Sequence, residues 1–291
     1  MSNVKQNIRN SVFNIADVIF YPLLFLIFVP FFMQHLGEDV FGIWMLMNSL
    51  MISFQIFNLG LSPAVVKYVA LYRSRNEKHN VIDTITTGIF ISVVLMITGI
   101  IIGLVLFALI QNGYLFNLSP ALSKLAANCM IITSFIIGMK FIEQTLLNVF
   151  KGFERYDLYF LINNSIRFIV LIVNITQMLY NKSLESMLIV NLSVTFVMLV
   201  LQLILISKLI SSYKISLKIN KVLSKEMMRF GFSNWIQSLI IILVFQLDRY
   251  LIVSGFGSVQ LGYYALISTI FINIHSCFSA TATWLIPKIV A

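Results

Sequence analysis

The sequence predicts an all-α polytopic membrane protein of about eight transmembrane helices. Three observations carry that expectation: an apolar share of 59% against 11% charged residues, apolar residues gathered in long blocks, and basic residues confined to alternate connections. A water-soluble domain carries about 25% charged residues, so a water-facing surface could not be covered here. Blocks of about 20 residues match a hydrocarbon core about 30 Å thick. Backbone groups find no water there, so each block must close its hydrogen bonds internally, as a helix.

The blocks run over 11–33, 42–64, 84–110, 125–147, 160–179, 187–207, 231–254 and 261–286. The first is too long for a cleaved signal peptide and no small-residue cleavage site follows it, so it is a permanent span. Pro22 and Pro30 would kink it or loosen its ends. Near its start Asn14 and Asp17 lie one turn apart. They form a polar helix start, or hold a carboxylate coupled to a proton or cation. The third block carries Gly99-x-x-x-Gly103, a spacing that lets two helices approach closely.

The fourth block holds Lys140 and Glu143 deep in its apolar run, with Gln144 alongside. Their spacing of three puts them on one helical face. A charge near the midplane costs several kcal/mol unless it faces a partner or a cavity. The pair is therefore a self-compensating lock between helices, or a polar wall of a substrate cavity. In the fifth block Asn163 and Asn164 precede Arg167 by four and three residues, making one polar face. Arg167 either snorkels to the interface or holds a phosphate, which a guanidinium grips bidentately. In the seventh block Asp248 and Arg249 lie near the outer end, as interfacial charges or as a gate.

Between the sixth and seventh blocks, 208–230 is the longest and most basic connection. Its apolar residues, from Leu209 to Met227, follow amphipathic spacing and predict a helix lying on the membrane surface. The chain then divides into a six-helix lobe over 1–207, a basic linker over 208–230, and the start of a second lobe over 231–291.

The formal net charge of +9 invites a nucleic-acid partner, but the placement of the charges argues against one. Lys5 and Arg9 precede the first block; Lys67, Arg73, Arg75 and Lys78 follow the second; Lys151 and Arg155 follow the fourth; the basic linker follows the sixth. With alternating spans all of these lie on one side, and the other side has only Lys124 and Lys182. Cytoplasmic loops carry this excess, which places the N-terminus in the cytoplasm and the basic loops against anionic head groups of the bilayer. No cofactor or metal is called for. His35, His79 and His275 are scattered, and Cys129 and Cys277 sit in apolar blocks without ligand spacing.

An internal repeat joins the ends of the chain. Gly37-Glu-Asp-Val-Phe41-Gly42-Ile-Trp44-Met-Leu46 and Gly257-Ser-Val-Gln-Leu261-Gly262-Tyr-Tyr264-Ala-Leu266 share one pattern, and at the same offset Asn14 falls on Asn234. Six spans separate the copies, so both run the same way. That predicts two parallel lobes related by an axis along the membrane normal, with substrate between them near the midplane. The glycines allow a tight turn, and Trp44 and Tyr264 are expected at head-group level as anchors. On this plan the second lobe is short by several helices, as in a truncated chain, a fragment or a split gene product.

Leu36-Gly37-Glu38, Phe41-Gly42-Ile43-Trp44, Phe57-Asn58-Leu59-Gly60-Leu61 and Val66-Lys67-Tyr68-Val69-Ala70 resemble the opening of polysaccharide flippases of the Wzx type. Leu247-Asp248-Arg249-Tyr250 and Leu261-Gly262-Tyr263-Tyr264 resemble the start of their second half. These flippases belong to the multidrug/oligosaccharidyl-lipid/polysaccharide superfamily and share the fold of the toxin-extruding (MATE) antiporters. The resemblance implies twelve to fourteen spans and a bacterial inner (plasma) membrane location. It also implies an undecaprenyl-diphosphate-linked oligosaccharide as cargo, for surface polysaccharide such as the O-antigen of lipopolysaccharide.

On that expectation Arg167, Lys140, Glu143, Gln144 and Asn163 bind substrate, while Asp17, Asn14, Asp248 and Arg249 couple an ion or gate the passage. An ion-coupled drug antiporter on the same fold would favour a cavity of carboxylates, and Lys140 with Arg167 tilts towards anionic cargo. A membrane enzyme would need acid–base or metal-binding groups in its outer loops, which offer only Glu38, Asp39 and Glu185. A scaffold for other polysaccharide-assembly membrane proteins is the remaining alternative.

Overall fold

A computed structural model describes residues 27–58, 60–181, 183–210 and 220–272, the side chains at 233, 234 and 241 excepted. Every regular element among them is helical. In chain order they are α1 (Ile27–Leu36), α2 (Glu38–Ser53), a 3-10 turn (Phe54–Asn58), α3 (Leu61–Ser74), α4 (Lys78–Gln111), α5 (Pro120–Gly152), α6 (Tyr156–Tyr180), α7 (Leu184–Leu209), α8 (Lys221–Phe256) and α9 (Ser258–Ile272). Among the described residues six stretches are long and apolar enough to cross a membrane: Glu38–Asn58, Lys78–Gln111, Pro120–Gly152, Tyr156–Tyr180, Leu184–Leu209 and Trp235–Phe256. α1 and α9 are the described parts of the first and eighth blocks. The result is a polytopic all-α membrane protein. Its outward faces are apolar, as Ile97, Ile101, Leu104 and Val105 on α4 show by their exposure.

Two helical hairpins turn alike at the basic end. Asn76 between α3 and α4, and Glu154 between α5 and α6, both take φ 59°. In each turn two amides reach back to end the helix. Asn76 N donates to Arg73 O (3.0 Å) and Glu77 N to Tyr72 O (2.9 Å); Glu154 N donates to Lys151 O and Arg155 N to Phe150 O, both 2.9 Å. This is the left-handed cap that satisfies orphan carbonyls. An Arg73–Glu154 ion pair at 3.6 Å bridges the two turns.

The second block is not one straight span. α2 tightens into the 3-10 turn and stops, and Gly60 at φ 69° restarts the chain as α3. Only a residue without Cβ sits easily there. A Cβ on Gly60 would also fall inside the backbone carbonyl of Gly231, so the break lets α8 pack backbone to backbone against it.

The amphipathic pattern before the seventh block belongs partly to the helix that continues into that span. Residues 211–219 lie outside the described residues, but from Lys221 one helix of 36 residues runs without interruption. Asn220 Oδ1 caps it, accepting from the amides of Val222 and Leu223 at 3.1 Å each. Its first turns bury Leu223 and Met227, the latter beside Gly88 of α4.

Glycine spacing also sets the close packing of α4 on α5. A Cβ on Gly103 of α4 would overlap the Ser134 side chain of α5, and Gly99 faces Phe141. Ser92 and Thr145 share a 2.6 Å hydrogen bond between these two helices. The Gly99–Gly103 pair therefore serves helix approach, the packing role its spacing predicts.

The internal repeat is real in the backbone. Gly37 (φ 78°, ψ 159°) and Gly257 (φ 91°, ψ −176°) adopt the same conformation and open α2 and α9. The two copies also meet. A Cβ on Gly42 would fall inside the Ser258 carbonyl, and Gly262 lies against Phe41 and Gly42. Ser258 Oγ donates to Asp39 Oδ1 at 3.2 Å. The repeats thus clasp each other at the end of the molecule opposite the basic hairpins.

Candidate functional site

Inside the first bundle, α1, α2, α5, α6 and α7 line a half-open cavity of about 210 Å³. It is lined by Phe32, Trp44, Asn48, Met51, Ile136, Lys140, Ile166, Arg167, Val170, Leu171, Asn174, Asn191 and Thr195. No lining residue comes from α8 or α9, so this hollow does not lie between the two lobes that the repeat predicts. The physical reason is the close approach just described. Gly42 against Ser258 and Gly60 against Gly231 leave no room between α2, α3, α8 and α9 at those points.

Lys140 and Arg167, the two intramembrane cations singled out from sequence, both line this cavity. Lys140 Nζ lies 2.8 Å from Glu143 Oε2 and donates to Oε1 at 2.9 Å. Glu143 is buried, and Lys140 keeps a third of its side chain exposed. The carboxylate therefore anchors the ammonium from behind and leaves it facing the hollow. Gln144 and Asn163 are not among the lining residues. Each sits one turn nearer the basic end, and the cavity extends the other way. The neighbouring Asn164 turns back on its own helix, donating to Phe160 O at 3.0 Å.

Towards the other pole the cavity is walled by neutral amides that sequence reasoning passed over. Asn174 lies two turns along α6 from Arg167, about 10 Å at 1.5 Å per residue. Asn191 and Thr195 face it from α7. The Oδ1 atoms of Asn174 and Asn191 are buried without a hydrogen-bond partner among the described residues. Asn48 gives one amide hydrogen to Trp44 O at 2.9 Å. Trp44 is buried, 4.8 Å from Phe32 and edge-on to Phe41 at 5.7 Å between ring centroids. It is a cavity wall and not the head-group anchor its position in the repeat predicts. Tyr264 also turns inward, donating to Asp248.

Asp248 and Arg249 form a second cluster, where α8 meets α2 and α9. Arg249 is buried, and its guanidinium donates to Ser49 Oγ on α2 (3.2 Å) and Ser268 Oγ on α9 (3.0 Å). Next to it, Tyr250 Oη donates to Ser49 O at 3.1 Å and lies 2.6 Å from Ser53 Oγ. These side chains pin α2, α8 and α9 together near the end where the repeats clasp. Asn14 and Asp17 lie outside the described residues. Among those described, no cluster of three or more His, Cys, Asp or Glu residues could hold a metal ion.

The family model for polysaccharide biosynthesis proteins matches residues 8–291, nearly the whole chain. The chain belongs to this family. An inward-facing multidrug resistance transporter of the MATE family, in the MOP superfamily, superimposes with a TM-score of 0.66 at 13% identity. The match covers 94% of this chain and 61% of that one, so this family member spans about three-fifths of that transporter. At that identity the likeness shows the fold alone. No curated protein matches the chain.

Proposed function

We propose that the chain moves an undecaprenyl-diphosphate-linked oligosaccharide from the cytoplasmic to the outer leaflet of a bacterial plasma membrane, as a flippase and not as an enzyme. The observation that carries the reading is the pair Lys140 and Arg167 on one cavity in the membrane-spanning bundle. Burying an isolated anion in hydrocarbon costs tens of kcal/mol in the Born limit. A polar hollow with two cations removes much of that barrier for a diphosphate, while the prenyl tail stays in lipid. Glu143 offsets one of the two charges, which makes the pair of cations tolerable inside the membrane-spanning bundle.

Access alternates as the two repeats separate and close. Arg249, Asp248, Tyr250 and Tyr264 act as the outer gate, because they tie α2 of one lobe to α8 and α9 of the other. The basic hairpins face the cytoplasm, and the N-terminus lies on the same side. Asp17 and Asn14 are the coupling candidates on the first span.

Depletion tests the reading. In a strain making the glycan, loss of the protein is expected to trap undecaprenyl-linked oligosaccharide in the cytoplasmic leaflet. Arg167→Ala should do the same, with Arg167→Lys retaining part of the flux. No accumulation on depletion removes the proposal, and normal flux through Arg167→Ala removes the site.

A further inference from the structure

A second cavity, half-open and of about 380 Å³, lies at the basic end of the bundle between the two hairpin turns. Arg73, Asn76 and Lys78 of the α3–α4 hairpin line it together with Glu154 of the α5–α6 turn, and Ala70 and Val81 give it an apolar part. Both turns are closed by two backbone hydrogen bonds, so the wall is in place before any ligand arrives. Among the described residues the Arg73 guanidinium has one carboxylate partner, Glu154, at 3.6 Å. That is longer than a hydrogen bond, and the two side chains are 40% and 76% exposed. An exposed pair of this kind contributes little, so a stronger acceptor can displace the carboxylate. Arg73 also lies over the Phe153 ring, 5.8 Å from its centroid. That contact steadies the guanidinium without using its N–H donors.

Charge and place fix what enters. Two cations, Arg73 and Lys78, stand against one carboxylate in the wall, so the cavity lacks one negative charge. A phosphodiester carries that charge, and its two free oxygens fit the guanidinium fork. The volume falls within the roughly 300–1,000 Å³ of small-molecule pockets. The cavity sits where α3 ends and α4 begins, at the ends of the spans, where the chain meets the head-group layer. We propose that it holds one anionic phospholipid, with the phosphodiester on Arg73 and Lys78 and the glycerol region against Ala70 and Val81. A soluble phosphate would make no use of the apolar part, whereas the adjoining leaflet presents the lipid at high local concentration. The bound lipid would join the α3–α4 hairpin to the α5–α6 turn in place of the weak Arg73–Glu154 pair. Basic loops are attracted to anionic membranes in general; here a single lipid occupies a single built site. The site shares no lining residue with the cavity around Lys140 and Arg167, and it does not depend on what the chain transports.

The test is native mass spectrometry of the full chain in detergent, titrated with phosphatidylglycerol or with phosphatidylcholine of the same acyl chains. The first phosphatidylglycerol is expected to bind about tenfold tighter than the first phosphatidylcholine, the value of one charge-assisted hydrogen bond. Arg73→Gln and Lys78→Gln should each cut that preference severalfold, and Arg73→Lys should keep part of it. Glu154→Gln should raise it, because the competing carboxylate is gone. Arg75→Gln removes the same charge two residues from Arg73 but outside the cavity wall, and should leave the preference intact. Equal binding of the two lipids, or a loss through Arg75→Gln as large as through Arg73→Gln, overturns the site and leaves a diffuse basic surface. Displacement of the lipid by millimolar glycerol 3-phosphate overturns the lipid as occupant and makes this a site for soluble phosphates. Retention of the full preference in the folded Arg73→Gln, Lys78→Gln double variant overturns the proposal outright.

Discussion

Lys140 and Glu143 illustrate how a buried charge is kept without being neutralised. The carboxylate is almost fully buried and the ammonium a third exposed, at 2.8 Å. Removing one partner of such a pair leaves an uncompensated charge and costs about 3–5 kcal/mol when both are fully buried; the exposure of Lys140 puts the present case below that. Glu143→Leu should therefore lower the melting temperature in nanodiscs by several degrees, and adding Lys140→Met should restore it. Flux should fall in both, because the double variant recovers packing and not the cation. The amides behave oppositely. Asn174→Leu or Asn191→Leu removes an orphan acceptor from an apolar wall, so either should raise the melting temperature. A drop instead would mean that these side chains have structural partners and that the cavity is not their reason for being there.

Elements in this fold are placed by glycine as much as by apolar surface, and the glycines are separable by experiment. Gly37 has a left-handed φ and open space around its Cβ position. Gly37→Ala should cost only the backbone penalty of a φ/ψ region that glycine alone visits readily, about 1–3 kcal/mol. Gly42→Ala meets the Ser258 carbonyl, which no rotamer can move, so α2 and α9 must separate. Thermal unfolding should rank Gly42→Ala as the more damaging, even though its helical backbone suits alanine and that of Gly37 does not. The same contrast explains what was legible beforehand. Blocks of apolar residues declare spans, because a hydrocarbon slab filters by length and hydropathy. The break at Gly60 was hidden because apolar residues run through it on both sides, and the 3-10 turn leaves hydropathy unchanged. The true start of α8 was masked by its lysines, which suit a surface helix and the first turns of a span equally well. Lys140 and Arg167 stood out because a charge in an apolar run is expensive. Asn48, Asn174, Asn191 and Thr195 did not, since neutral side chains are common in spans. A span apolar all round gives no clue to which face meets a cavity.

Across the whole molecule, the repeats turn a sequence pattern into a mechanical contact. Gly37 and Gly257 start α2 and α9 in the same way, and the two helix starts then pack on each other. Six spans separate them in the chain, so this contact is a long-range closure at the end opposite the basic hairpins. Were the lobes to stay clasped, cargo released on that side could not leave. On the proposed alternating access, Asp39 and Ser258, joined at 3.2 Å, must part in every cycle. Asp39→Cys with Ser258→Cys, in a chain with Cys129 and Cys277 replaced by alanine, should form a disulfide under mild oxidation. Flux should stop on oxidation and return with reductant, while either single cysteine variant transports throughout. Flux that continues through the cross-link would mean that the far end does not open during transport, and that cargo leaves the first bundle sideways into lipid instead. The same cysteine-free chain fixes orientation. Tyr114→Cys, in the exposed turn between α4 and α5, should react with a membrane-impermeant maleimide in intact cells. Asn76→Cys, in the basic hairpin, should react only after lysis. The reverse pattern would invert the direction of transport, because the cation pole of the cavity lies nearer the basic hairpins and the amide pole nearer the clasp.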